Sequence, residues 1–356
     1  MIRHKKFARM LAVMLICYFL FNFCVWHLYT NRLVNDAGCV GGDLTRMGYI
    51  TGSKMCRQQQ DDLPPRHLER DEYRGEPVDV LTIGDSFSNG GGGGRNTYYQ
   101  DYLASLNGFT VLNIPEYKDI DRVSTMSLLN NNGFLDRIKP KYVLIECSEK
   151  QCLEGLPENV DFEKSIPEQE LNNYQTVSFA PAAPKDRQLM DFFSEANFKL
   201  VRNCILYNFS DNAYGGKVYK AKLDRPLFSV ETPDTLLFFS GDIQYRKKTP
   251  ARIAKLNAAL NTLHDRLAEK GIRLYFMPCV DKYNLYSDYI VENRHPRSIF
   301  FEELRKLPKR YQYVDTKSIL LGELEKGEKD IYYADDTHWS WKASEKVFKA
   351  VRFQGI

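Results

Sequence analysis

Two short motifs near opposite ends of the chain carry the residue types that nucleophilic acyl transfer requires. The first, Gly-Asp-Ser-Phe, contains Ser86, and the second, Asp-Asp-Thr-His-Trp, contains Asp335, Asp336 and His338. Ser86 offers a hydroxyl nucleophile, and His338 offers an imidazole that can take its proton. Either aspartate could orient that imidazole. The two motifs therefore predict a Ser-His-Asp catalytic triad.

The residues before Ser86 predict the element that positions it. Residues 78–83 form an apolar run typical of a buried parallel strand, and Gly84 allows a tight turn after it. Ser86 then falls in a turn whose unpaired backbone N–H groups could face a developing oxyanion, and the N–H of Ser86 itself is the first predicted donor. The alternative is that Asp85 or Ser86 only caps a helix.

His338 lies just before an amphipathic C-terminal segment at residues 341–351. A junction between a loop and a helix would present the imidazole at the edge of a sheet. The alternative is a half-buried histidine that packs beside Trp339. Of the six histidines, only His338 has aspartates two and three residues before it, which favours the catalytic interpretation.

These residues resemble the SGNH/GDSL hydrolase superfamily, and within it the SGNH-like domains of alginate O-acetyltransferases and related exopolysaccharide acetylation proteins. The similarity spans about residues 78–351 and is carried by Ser86 in its Gly-Asp-Ser context and by residues 336–339, 146–150 and 274–289. The resemblance implies a three-layer α/β/α domain that performs serine acyl transfer.

The chain departs from the superfamily pattern in three respects. Residues 146–149 stand where a Gly-x-Asn-Asp motif would supply an oxyanion-donating asparagine. Asn113, at the end of an apolar run, is a candidate substitute, but a turn residue before Pro115 is the preferred interpretation. The ordinary superfamily spacing selects Asp335 as the triad acid, whereas the acetyltransferase-like spacing selects Asp336, which we prefer. The serine also precedes the Asp-x-His pair, while the resemblance implies the reverse order in the alginate group.

Residues 10–30 predict a membrane anchor. They contain no Asp, Glu, Lys or Arg, and as a helix they reach the thickness of a hydrocarbon core. Four basic residues precede the run, so the positive-inside rule predicts a single pass through the inner (cytoplasmic) membrane, with a cytoplasmic N-terminus and a periplasmic or otherwise extracytoplasmic body. A cleaved signal peptide is the alternative, which the length of the run and the lack of an Ala-x-Ala site disfavour.

The eight cysteines fit an oxidising compartment. The first disulfides to expect are Cys39–Cys56 and Cys147–Cys152, with buried free thiols at Cys147 and Cys279 as the alternative. No Cys-x-x-Cys or His-x-x-x-His spacing suggests a metal site, so no metal is predicted, and no cofactor is predicted either.

Apolar patterns predict the order of the domains. Residues 1–9 are a cytoplasmic tail, 10–30 the anchor, 31–76 a linker without a stable core, and 77–356 the catalytic domain with an insertion or cap at about 150–245. Within the catalytic domain, the pattern predicts strands at 78–83, 109–114, 142–147, 272–279 and 311–314, helices at 95–106, 121–138 and 252–270, and a hairpin around residues 240–242. Strands that alternate with helices imply a mainly parallel sheet with the site at its carboxyl edge.

Three further features bear on ligands. The net charge of +3 and the lack of a basic cluster give no case for nucleic-acid binding. Tyr283 and Lys282 follow the fourth predicted strand and are candidate substrate-binding residues. The glycine run at residues 90–94 either lets an extended substrate approach or is a surface loop without a role; no Lys-Ser/Thr follows it, so a phosphate loop is not expected.

The resulting hypothesis is a membrane-anchored extracytoplasmic O-acyltransferase that acetylates hydroxyl groups of a polysaccharide acceptor through an acyl-enzyme on Ser86. The resemblance implies a membrane-embedded partner protein that supplies the acyl group. One alternative is an esterase with the same triad. A second alternative is a non-catalytic scaffold for polysaccharide assembly on the same fold.

Overall fold

The computed structural model describes residues 2–34, 41–57, 63–64, 66–153, 160–171, 173–174, 176, 191–213, 215–244 and 248–353. The chain divides into two compact units. The N-terminal unit comprises Met1–Arg57, Ala182–Ser240 and Tyr333–Thr337, and the sheet unit comprises Gln58–Pro181, Gly241–Tyr332 and His338–Ile356.

Eight strands lie in the described residues: β1 (Leu68–Glu69), β2 (Val80–Ile83), β3 (Val111–Ile114), β4 (Tyr142–Ser148), β5 (Val218–Lys222), β6 (Thr235–Phe239), β7 (Arg273–Cys279) and β8 (Gln312–Tyr313). Six of them form the sheet of the sheet unit in the order β1-β3-β2-β4-β7-β8, and every neighbouring pair is parallel. Every residue of β2, β3 and β4 is buried, as expected for parallel strands covered on both faces. The predicted α/β class with a mainly parallel sheet is confirmed.

The described residues also contain thirteen α-helices: α1 (Ile2–Val25), α2 (Asn31–Val34), α3 (Asp43–Gly48), α4 (Tyr99–Asn107), α5 (Arg122–Asn131), α6 (Phe134–Ile138), α7 (Glu168–Leu171), α8 (Glu195–Leu206), α9 (Pro250–Ala268), α10 (Lys282–Tyr286), α11 (Phe300–Lys306), α12 (Thr316–Glu325) and α13 (Trp341–Ala350). A π-helical turn at Trp26–Thr30 joins α1 to α2.

All five predicted strands are present, with ends shifted by at most two residues. The structure adds β1, which is too short at two residues to leave a pattern in the sequence. The predicted helix at 121–138 is two helices, α5 and α6. Gly133 separates them because its φ of +83° cannot continue a right-handed helix.

The N-terminal unit has a core of its own. Strands β5 and β6 form an antiparallel hairpin, and Leu44 of α3 packs against Val218 and Leu237 on it. The structure thus differs from the sequence prediction of a coreless linker at 31–76. The hairpin connection also lies between Lys222 and Thr235, whereas Ser240–Ile243, where a hairpin was predicted, is a turn of 3-10 helix.

The N-terminal helix runs from His4 to Leu33 as a stretch long and apolar enough to cross a membrane, with almost all of its apolar side chains exposed. In the sheet unit, Cys147 and Cys152 form the predicted disulfide, and Cys279 is a buried free thiol. Cys39, the predicted partner of Cys56, lies outside the described residues.

Candidate active site

Ser86 and His338 are 252 residues apart in the chain but meet in the sheet unit, where His338 Nε2 lies 2.6 Å from Ser86 Oγ. Both residues are partly exposed. A hydroxyl within hydrogen-bond distance of an imidazole nitrogen is the arrangement that general-base activation of a serine nucleophile requires.

Asp85 fixes the turn that carries Ser86. Its Oδ1 accepts the Phe87 N–H at 3.1 Å, and its Oδ2 accepts the N–H of Ser148, the last residue of β4, at 2.7 Å. Burial raises the pKa of Asp85, but the Arg122 guanidinium and these N–H donors outweigh burial and bring the pKa below its ordinary value. The buried Asp85 anion therefore ties the turn that carries Ser86, after β2, to the end of the neighbouring strand β4.

A second buried carboxyl group, that of Glu146 on β4, holds the same turn. Its Oε2 accepts the Asp85 N–H at 3.0 Å and the Ser88 hydroxyl at 2.8 Å. Burial and the negative charge of Asp85 raise the pKa of Glu146 well above its usual range. A Cβ on Gly84 would lie 2.1 Å from this Oε2, so the turn needs glycine there. The sequence analysis used Glu146 as part of the stretch 146–150 that carries the resemblance and as an occupant of the missing motif, and it did not predict that this carboxyl group holds the turn.

Aromatic contacts join the serine motif to the histidine motif. The Phe87 ring lies edge-on to the rings of His338 and Trp339, each at a centroid distance of 5.0 Å. Trp339 forms a β-bridge with Tyr332, and Ser340 caps α13. The His338 imidazole therefore packs against Phe87 and lies in the loop that the Tyr332–Trp339 bridge closes, just before α13. This is the junction between a loop and a helix that the sequence predicts.

The glycine run contacts the candidate site. The Gly91 N–H donates to the Ser86 carbonyl oxygen at 2.8 Å, and a Cβ on Gly91 would lie 2.3 Å from His338 Cδ2. Gly90 and Gly92 adopt positive φ angles of 72° and 88°. The bare backbone thus makes room for the imidazole, a role that neither interpretation of the run anticipated.

The two candidate acids lie in the N-terminal unit and differ in how they are held there. Asp335 is fully buried, and its Oδ2 accepts the N–H groups of Gly42 and Met55 at 2.8 and 2.9 Å. Its Oδ1 accepts Arg57 Nη1 at 2.7 Å. Both oxygens of Asp335 therefore serve the internal structure of the N-terminal unit.

Asp336 also accepts hydrogen bonds from the N-terminal part of the chain. Its Oδ2 accepts the Asp43 N–H at 3.1 Å and Arg57 Nη2 at 3.2 Å, and Arg57 also stacks on the Tyr333 ring at 4.1 Å. Asp43 in turn accepts the Thr337 N–H at 2.8 Å. Sequence reasoning missed Arg57 and Asp43, since neither belongs to a motif and both are about 280 or more residues from their partners.

The remaining predicted residues are placed away from solvent. The Asn113 amide is fully buried and donates to Glu69 at 3.2 Å and to the Ser88 carbonyl oxygen at 3.4 Å. Lys282 and Tyr283 are also buried, and the Tyr283 hydroxyl donates to the His295 carbonyl oxygen at 2.7 Å. Such burial favours packing roles, and the oxyanion assignment of Asn113 and the substrate-binding assignments of Lys282 and Tyr283 stay predictions.

Comparison with known protein families agrees with the predicted SGNH-like class of domain. Residues 230–352 match the family model described as ALGX, the SGNH hydrolase-like domain of acetyltransferase AlgX. The resemblance is thereby confirmed over this part of the chain, which includes Asp335, Asp336 and His338 but not Ser86. No curated protein matches the chain.

Proposed function

We propose that this protein is a membrane-anchored, extracytoplasmic serine O-acyltransferase that transfers an acetyl group to hydroxyl groups of a polysaccharide. The observation that carries the proposal is the 2.6 Å distance between Ser86 Oγ and His338 Nε2. The match to the SGNH hydrolase-like domain of an acetyltransferase over residues 230–352 supports the reaction class.

In the first half-reaction, Ser86 Oγ attacks the carbonyl carbon of the acyl donor while His338 Nε2 takes the hydroxyl proton. The tetrahedral intermediate collapses, the bond to the leaving group breaks, and His338 returns the proton to that group. The backbone N–H of Ser86 is the donor we assign to the oxyanion. The product of this half-reaction is acetyl-Ser86.

In the second half-reaction, a sugar hydroxyl loses its proton to His338 Nε2 and attacks the acyl carbon of acetyl-Ser86. The ester bond to Ser86 breaks, and the proton passes from His338 to Ser86 Oγ. The products are an acetylated sugar and the free serine.

We assign the orienting acid to Asp336. It lies two residues before His338, whereas the hydrogen bonds from Gly42, Met55 and Arg57 occupy both oxygens of Asp335. A carboxylate that accepts the Nδ1–H keeps Nε2 available as the base.

The proposed location rests on the anchor, and the proposed partners rest on the resemblance. The apolar run 10–30 of the helix His4–Leu33, preceded by Arg3, Lys5, Lys6 and Arg9, supports a single span with a cytoplasmic N-terminus. The Cys147–Cys152 disulfide supports an oxidising compartment for the body of the protein. In that position the enzyme would receive its acyl group from a membrane-embedded partner protein and would act on a polysaccharide at the membrane.

The test uses the purified full-length protein in detergent with p-nitrophenyl acetate, with and without oligosaccharide acceptors. We expect nitrophenol release that is lost in Ser86→Ala and His338→Ala and kept in Ser165→Ala, the control at an exposed serine of the sheet unit. Acetylated oligosaccharide as product supports transfer, whereas free acetate alone in the presence of acceptor indicates an esterase. Equal release by wild type and Ser86→Ala contradicts both.

A further inference from the structure

A short loop closed by a disulfide follows β4 in the sheet unit. Cys147 and Cys152 are joined across residues 148–151, and both cysteines are buried. Within the loop, the N–H groups of Gln151 and Cys152 donate to the Ser148 carbonyl oxygen at 2.9 and 3.0 Å. The loop is therefore a compact turn, and its covalent closure fixes where its last residues lie relative to β4.

The loop contacts the support of Ser86 at two points. At its start, the Ser148 N–H donates to Asp85 Oδ2 at 2.7 Å. At its end, Gln151 Oε1 accepts a hydrogen bond from Arg122 Nη2 at 3.1 Å. The same guanidinium nitrogen lies 3.9 Å from Asp85 Oδ2, so Arg122 and Asp85 form an ion pair. Both points of contact thus lead to the buried carboxylate that holds the turn with Ser86.

The charge of Asp85 depends on Arg122, the first residue of α5. Burial raises the pKa of Asp85, and the Arg122 guanidinium is the largest of the influences that lower it. Arg122 is itself buried, and its Nη2 also lies 2.8 Å from Glu116 Oε1. If the guanidinium moved away, a buried carboxylate would lose its compensating charge, and the turn that Asp85 holds would bear that cost.

The end of the loop depends on the disulfide more than its start does. At the start, the Glu149 N–H donates to the Cys279 carbonyl oxygen on β7 at 2.8 Å, so this part is held without the disulfide. Among the described residues, Gln151 forms hydrogen bonds outside the loop only with Arg122. Because Gln151 directly precedes Cys152, the contact most sensitive to the disulfide is the one between Gln151 and Arg122.

We propose that Arg122 is a positioning residue for Ser86, and that the disulfide of the 148–151 loop keeps Arg122 in place through Gln151. Opening the disulfide would release the Gln151 side chain, let the guanidinium move away from its carboxylate partner, and loosen the turn that carries Ser86. The assignment of Ser86 as nucleophile rests on the proposed function, whereas the hold on the turn can be measured without turnover.

A double-mutant cycle between Arg122 and the disulfide tests this in the full-length protein in detergent, since non-additive effects are the direct evidence of coupling. The variants are Arg122→Gln, a disulfide-free protein with Cys147→Ala and Cys152→Ala, and the combination of all three changes. Arg122→Lys keeps the positive charge. Arg137→Gln is the matched control, because Arg137 forms an exposed ion pair with a glutamate of the same unit.

Two measurements are made on each protein. The first is kcat and KM with p-nitrophenyl acetate, with Ser86→Ala as the blank. The second is hydrogen–deuterium exchange of the peptide that contains residues 84–91, with helix α12 (Thr316–Glu325) as the reference for loss of the whole fold.

We expect Arg122→Gln to lower kcat about 100-fold with KM nearly unchanged, because a misplacement of about 1 Å costs that much in rate. Loss of the disulfide should lower kcat by less, and it should have little further effect once Arg122 is replaced, because both changes act on the same contact. Exchange of the 84–91 peptide should rise severalfold in both single changes while α12 is unaffected. Arg122→Lys should retain more turnover than Arg122→Gln, and Arg137→Gln should match wild type.

Independent, additive effects of the two changes would overturn the link between the disulfide and Arg122. A rise in KM alone, or wild-type exchange of the 84–91 peptide in Arg122→Gln, would overturn the positioning role. Equal nitrophenol release by wild type and Ser86→Ala would contradict the proposed function instead, and the exchange rates would then decide the hold on the turn by themselves. If α12 also exchanges faster in Arg122→Gln, Arg122→Lys and the disulfide-free protein decide the outcome.

Discussion

The sheet unit contains two histidines in polar clusters, and they are built differently. His338 Nε2 meets the hydroxyl of Ser86, and the ring is partly exposed. His67 is buried beside Tyr98, with Nδ1 2.7 Å from Asp101 Oδ1 and Nε2 3.1 Å from Glu69 Oε1. Carboxylates thus occupy both nitrogens of His67, so the ring has no nitrogen with which to take a proton from a substrate or a nucleophile.

The electrostatics of His67 follow from that arrangement. Burial lowers the pKa of His67, but the hydrogen bonds to Asp101 and Glu69 outweigh burial and raise it to about 9. At neutral pH an imidazole with such a pKa is protonated, whereas a general base must be neutral. His67 is therefore a charged structural element. A carboxylate beside a histidine therefore does not by itself indicate a base; the hydroxyl at Nε2 and the partial exposure of the ring are the features on which the role proposed for His338 rests.

The same cluster explains why Asn113 is buried. Its Nδ2 donates to Glu69, the carboxylate that also binds His67. Its Oδ1 accepts the Thr82 hydroxyl at 3.0 Å. Asn113 is thereby bound into the His67 cluster, and this accounts for its burial better than an oxyanion role.

The largest expected effect separates the two histidines. His338→Gln should lower kcat for acyl transfer by about 10⁶-fold, the order seen when a triad base is removed. His67→Gln should leave the rate largely unchanged, since His67 lies outside the acyl-transfer steps. The measurement is p-nitrophenyl acetate turnover by both variants at pH 7, after circular dichroism has shown equal folding. Similar losses of kcat in the two variants would contradict the assignment of a catalytic role to His338 and a structural role to His67.

Local patterns predicted most of the sheet unit from sequence. The apolar runs that became β2, β4 and β7 are buried parallel strands, which have a distinctive composition. Ser86 and His338 could be singled out as candidates because each lies in a short motif directly beside a predicted element.

Contacts between distant parts of the chain could not be predicted. Arg57 meets Asp335 across 278 residues, and His67 meets Asp101 across 34, with no periodic pattern to signal either pair. The core of the N-terminal unit was missed for a related reason. Leu44 lies in a largely polar stretch, and its partners Val218 and Leu237 belong to a hairpin more than 170 residues away.

The next effect concerns the carboxylate that is proposed to orient the His338 imidazole. Asp336→Asn should lower kcat by about 10³–10⁴-fold with the fold retained, since an amide cannot hold the correct imidazole tautomer. Asp335→Asn should instead destabilise the protein by about 3 kcal/mol, because it removes one of the two carboxylates that pair with Arg57 and disturbs the acceptor of the Gly42 and Met55 N–H groups. Thermal unfolding and turnover measured on both variants separate the two roles. A fully folded Asp335→Asn with the larger loss of kcat would reverse the assignment.

The smallest effect is the contribution of His67 to the pH dependence of stability, measured as the difference between wild type and a variant without the imidazole. Its folded pKa of about 9 lies above the ordinary value of 6.5, so its contribution is complete below pH 6.5 and is lost as the pH rises through 9. The free energy of unfolding should therefore fall by at most roughly 3 kcal/mol over that interval. Urea unfolding between pH 6 and 10 measures it, with His67→Gln as the comparison. The variant should show a flatter profile over this interval, because glutamine does not titrate; a slope equal to that of wild type would mean that the pKa of His67 is not raised in the folded protein.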